Sequence, residues 1–81
     1  MTFDDITVKD PWVGRILANV RVSRDAADRR REFARVKGLL TRRVGFCADG
    51  VTPAALCTNE ALAVCVAELE RRIGGRRRTD G

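Results

Sequence analysis

Apolar residues along this chain recur mostly at spacings of three and four, the period of helices packed on one side. Trp12, Val13, Ile16, Leu17 and Val20 form the first such face. Asp10-Pro11 opens it, with Asp suited to an N-cap and Pro to the first helical position. Residues 16–22 also alternate as a short strand would, which is the minority reading. Before this helix, residues 1–9 are expected to be an acidic, irregular or weakly extended arm, with Phe3, Ile6 and Val8 available to dock.

A longer helix is predicted over residues 23–44, with Ala26, Phe33, Val36, Leu40 and Val44 on one side. A single rod from 11 to 44 would be about 50 Å long at about 1.5 Å per residue, too long for so small a domain. The Ile16 and Phe33 stripes would also lie well over roughly 90° apart around it. A bend at residues 22–25, with Ser23 as a new N-cap, brings both stripes onto one core. The alternative is an elongated helix serving two partners.

Gly45 suits a left-handed helix stop, with Phe46 packing back on Leu40. Asp49-Gly50 turns the chain, and Thr52-Pro53 opens a short helical turn through Ala54, Ala55 and Leu56. After a break at residues 57–59, Thr58 or Asn59 caps a last helix ending at Gly74-Gly75. Its face is Leu62, Cys65, Val66, Leu69 and Ile73. Ala63, Val64 and Ala67 lie off that face, so residues 61–67 are apolar nearly all round and should be buried on more than one side. The covering surface is another subunit, a partner, or this chain's own first helix or arm.

The expected fold is therefore all-α: a small bundle of three main helices and one short one. The first two meet at an angle and the last packs across both. The short acidic arm (1–9) precedes a single domain (10–75), and a flexible Arg-rich tail (76–81) follows it. Eighty-one residues make a marginal core, which leaves room for a homo-oligomer or a partner. No apolar run reaches the roughly 18 residues that span a bilayer. The N-terminus is acidic where a secretory signal is basic, so a cytoplasmic protein is expected.

Charge changes the picture. Fourteen arginines and two lysines give a net charge of +5. The arginines fall in residues 15–43 and 71–78, and residues 47–70 hold no basic side chain. A GC-rich genome would favour arginine regardless of function, so arrangement carries the argument. Opposite Phe33 on the second helix, Arg24, Arg31, Arg35 and Arg42 fall on one line, with Gly38 as a bare backbone patch near it. Guanidinium forks bind phosphate oxygens bidentately, so the row suits successive phosphates. Asp28 and Glu32 sit beside it, as they would on any solvated helix face. Arg29, Arg30 and Lys37 flank the apolar stripe, where their stems can cover core. Arg76, Arg77 and Arg78 add a loose basic tail, while Arg71 and Arg72 complement the negative end of the helix dipole.

Catalytic chemistry is nearly absent from the sequence. There is no histidine, no G-x-S-x-G and no Gly-rich phosphate loop. Cys47 is the lone candidate nucleophile and has no evident base. Cys47, Cys57 and Cys65 lack C-x-x-C spacing, so all three read as small packed hydrophobes, and no metal or cofactor is implied. Residues 52–68 only loosely suggest a helix-turn-helix: no glycine marks the turn, and the second piece is apolar and acidic. The expectation is a non-enzymatic, basic accessory or regulatory protein that binds nucleic acid through phosphates, of mobile-element or phage type. The alternative is a protein-interaction module that self-associates or caps a larger protein through Trp12 or through the apolar helix 61–67, with Ala63, Val64 and Ala67 on its second side, while its arginines meet an acidic surface of that protein.

Overall fold

A computed structural model describes residues 1–47, 50 and 54–74. Four α-helices and one 3-10 turn make up the described fold: α1 (Phe3–Lys9), α2 (Pro11–Ala18), α3 (Ala26–Arg43), the turn Ala54–Leu56, and α4 (Asn59–Ile73). The fold is all-α, as the apolar spacing predicts.

The N-terminal segment departs from expectation, since the acidic arm is a helix. Thr2 and Asp5 form a capping box: the Asp5 N–H donates to Thr2 Oγ1 at 3.2 Å, and the Thr2 N–H donates to Asp5 Oδ2 at 2.9 Å. These bonds hold the Asp5 carboxyl below its ordinary range, the Thr2 backbone bond contributing most. Ile6 is fully buried and Phe3 packs against the core, so the segment belongs to the bundle.

Asp10 caps α2 by accepting from the Trp12 N–H at 3.2 Å, with Pro11 in the first helical position. Residues 16–22 do not form a strand: α2 runs to Ala18 and Asn19 ends it. Residues 11–44 are thus two helices with a bend. The cap of α3 is Asp25, not Ser23, and accepts from the Asp28 N–H at 3.1 Å. The Ser23 hydroxyl instead accepts from the Asp25 N–H at 3.1 Å, which shapes the approach to the cap. On α3, Val36 and Leu40 are buried and Phe33 half-buried, with Val44 buried just beyond. Ala26, at the exposed start of the helix, contributes nothing to the core.

The stop after α3 uses Gly45 at φ +92°, whose N–H donates to the Leu56 carbonyl at 3.1 Å. Its positive φ favours glycine, and a side chain there would stand 3.2 Å from Leu62 Cδ2, which would have to shift slightly. Phe46 does not pack back on Leu40. It is 76% exposed, because buried Val44 already fills that end of the core. Thr52-Pro53, Asp49 and residues 75–81 lie outside the described residues.

Cys47 and Cys57 form a disulfide with Cα atoms 5.5 Å apart, so neither is a packed free thiol. The separation of 10 residues conceals this pairing from spacing rules, because the chain folds back between α3 and the 3-10 turn. Cys65 fits the expected role: it is fully buried, and burial pushes its thiol up to about 11.

Thr58 caps α4 by accepting from the Ala61 N–H at 3.1 Å, and Gly74 ends it in the left-handed region at φ +67°. The main packed pair is α3 with α4. α4 also lies on α1, whereas α2 packs chiefly on α1 and α3. The last helix therefore packs mainly on α3 and secondarily on α1, where the Trp12 helix was expected. α1 has taken that place because its cap makes it an ordered helix with a core residue to offer.

Candidate nucleic-acid interface

The core lies along one side of α3, which leaves the other side of its 18 residues in solvent over about 27 Å. Arg30, Arg31, Arg35, Lys37 and Arg42 are all exposed there, and between them lie Ala34 and Gly38, both exposed. Nothing lies within 4 Å of where a Gly38 side chain would stand. The centre of this face is thus low and its margins are cationic.

The predicted row is only partly realised. Arg24 precedes the cap residue Asp25, so it is on the connection and not on the helix. Its carbonyl and that of Ser23 accept from Arg29 Nη1 at 2.8 and 2.9 Å. That leaves Arg29, half-buried, as a clasp on the α2–α3 connection. Arg31 pairs with Asp28 one turn back. Arg35 is bidentate to Glu32, with Nε to Oε1 at 3.0 Å and Nη2 to Oε2 at 2.8 Å. Glu32 also accepts from the Arg21 N–H at 2.9 Å. The Arg35 bond first, then the Arg21 N–H, holds its carboxyl down to about 2. Arg42 and Arg30 have no carboxylate partner among the described residues. Lys37 sits 6.0 Å from the Phe33 ring centroid. Arg76, Arg77 and Arg78 lie outside the described residues.

Arg21, Ser23, Asp28, Arg31, Glu32 and Arg35 line a shallow cleft of about 350 Å³ where the connection meets α3. Three guanidinium groups face two carboxylates there, so its walls largely neutralise each other. A phosphate would gain little from entering it. Arg30, Lys37 and Arg42 lie outside it along α3.

The residues predicted for protein contact are scattered. Ala63 and Ala67 are exposed on α4, while Val64 is half-buried and packs against the core. α1 packs on α4, and within the apolar segment 61–67 Ala61 and Cys65 are fully buried. Trp12 is 49% exposed and stands apart from them in a cluster that residue spacing does not reveal. Arg43 reaches back from the end of α3 to Asp10, with Nε to Oδ2 at 2.7 Å and Nη2 to Oδ1 at 2.9 Å. Its guanidinium lies 5.9 Å from the Trp12 ring centroid, and that of Arg15 lies 5.8 Å from it. Asp10, 4% exposed, thus serves both as helix cap and as the anchor of a long-range ion pair. The one signal for it in the sequence was the Asp-Pro start, which points only to the cap.

No protein-family model matches this chain, and no characterised protein or solved structure is significantly similar to it. No helix among the described residues is long and apolar enough to cross a membrane.

Proposed function

We propose that the protein is a non-catalytic, cytoplasmic nucleic-acid-binding accessory protein that meets phosphates along the outer face of α3. A regulatory role of mobile-element or phage type remains part of this proposal on grounds of size and charge. One observation carries the reading: five exposed cations frame the low Ala34–Gly38 centre of a helix face that the core does not use. Arg30, Lys37 and Arg42 supply charge that no described carboxylate neutralises. Arg31 can exchange its exposed Asp28 partner for phosphate, since surface pairs of this kind are worth only about 0–1 kcal/mol, whereas Arg35 would have to leave the less exposed Glu32. The small centre lets a phosphate backbone approach the helix closely.

Titration of labelled duplex DNA, single-stranded DNA and RNA across salt tests the proposal. Affinity should fall steeply as salt rises, and Arg30→Glu/Arg42→Glu should weaken binding by at least about tenfold while the fold is kept. Neither residue supports the core, so a loss is not a folding effect. Absence of binding to all three at low salt would overturn the reading.

A further inference from the structure

We propose that the surface centred on Trp12 and Leu39 is a docking site for an acidic segment of another protein that carries large apolar side chains. It is a different surface from the phosphate-binding face, although Arg42 borders both. Leu39 is 42% exposed on α3, and Trp12 is 49% exposed at the start of α2. Arg43 joins them. It follows Leu39 by four residues on the same side of the helix, and its guanidinium lies over the indole. The bidentate bond to buried Asp10 fixes that guanidinium, so the indole rests on a rigid support.

The charge around these side chains selects the occupant. Arg15 over the indole and Arg42 beside Leu39 are exposed, and neither has a carboxylate partner among the described residues. An apolar patch with unneutralised cations fits a segment that alternates carboxylates with Leu or Phe. Exposed aromatic residues with arginine nearby are the common anchors of such contacts. A second copy of the same surface would set Arg15 and Arg42 against their own equivalents. A nucleic-acid base would have to compete for the indole with two guanidinium groups already over it, and would leave Leu39 without an apolar partner.

Trp12 is the only tryptophan and the chain has no tyrosine, so intrinsic fluorescence reports on this surface directly. The probes are a twelve-residue peptide of alternating Asp with Leu or Phe, an oligoglutamate of equal charge, and a single-stranded oligonucleotide. The Asp-Leu/Phe peptide should shift Trp12 emission to shorter wavelength and bind at least about tenfold more tightly than oligoglutamate. Leu39→Ser should weaken it by about tenfold and Trp12→Ala, followed by anisotropy of labelled peptide, by more, with oligonucleotide affinity unchanged in both. Leu39 is exposed, so its substitution leaves the fold intact, and far-UV circular dichroism verifies this for both variants.

Equal affinity for the two peptides, or a Leu39→Ser variant that binds as wild type, would overturn the proposal. A shift produced by the oligonucleotide and not by the peptide would assign the surface to nucleic acid. A dimer in light scattering that Leu39→Ser dissolves would assign it to a second copy of the chain. Failure of the oligonucleotide to bind α3 leaves the peptide result readable by itself.

Discussion

Asp10 concentrates more of the structure's physics than any other side chain described. It caps α2 and, 33 residues away in sequence, holds Arg43 in a two-bond pair with only 4% of its surface exposed. Breaking a pair of this sort strands a buried charge. Arg43→Met should therefore destabilise the fold by about 3 kcal/mol in urea denaturation, and adding Asp10→Asn should recover part of that loss. The cap was legible in the sequence because it is a local rule about Asp before Pro. The pair was not, because side chains 33 positions apart meet only through the packing of α3 on α2. Glu32 gives a second test at this scale. Its folded pKa of about 2 lies below the ordinary 4.5, so above pH 4.5 both states are ionised and its contribution is complete. Between 4.5 and 2 the unfolded chain takes up the proton first, and stability falls with pH. The loss should be about 1–2 kcal/mol, discounted because Arg35 is largely exposed. Glu68, held near about 2 chiefly by Arg71, titrates in the same window. Glu32→Gln should accordingly flatten the acid limb of a stability–pH curve by roughly half.

Among the elements, α1 separates what local pattern can tell from what it cannot. Thr2 and Asp5 stand at capping-box spacing, yet seven residues with two adjacent acids lack the repeated apolar stripe that announces a longer helix. The helix exists because its cap and the burial of Ile6 act together. Thr2 is exposed and otherwise unoccupied, so Thr2→Ala should cost about 1 kcal/mol through the cap alone, measured by thermal or urea unfolding. α3 and α4 were legible almost to their ends, because each shows several turns of apolar spacing with a glycine stop. The start of α3 was misread by two residues: Ser and Asp are both good caps, and only the fold chooses Asp25. The link between α3 and α4 was misread more deeply, since cysteine spacing gave no hint of the bridge between Cys47 and Cys57. Closing so short a loop should be worth about 2–3 kcal/mol. Dithiothreitol, or a Cys47→Ser/Cys57→Ser variant, should lower stability by that amount while α1 to α4 persist in circular dichroism.

At the scale of the whole molecule, the long dimension of 37 Å exceeds the other two, 21 and 18 Å, and α3 offers the longest open face. The number of cations able to release counterions from nucleic acid then sets a quantitative expectation. Arg30, Lys37 and Arg42 alone imply a log–log salt slope of about −2.7, and recruitment of Arg31 and Arg35 steepens it to about −4.5. Raising salt from about 50 to about 200 mM should weaken binding by about 40-fold in the first case and about 500-fold in the second. The Asp28 and Glu32 pairs decide between these limits, because each phosphate contact by Arg31 or Arg35 has to displace a carboxylate. Asp28→Asn/Glu32→Gln frees both guanidinium groups, so this variant should bind more tightly than wild type at every salt concentration. If wild type already recruits both arginines, its slope should match the variant's near −4.5; if it does not, the variant alone should become steeper. A variant no tighter than wild type would mean that Arg31 and Arg35 serve the solvated face of the helix and that three cations carry whatever affinity is measured. The sequence put four arginines on one line because a helical wheel knows angles but not partners. The fold replaces that line with an unpaired set and a paired set, and the two salt slopes tell them apart.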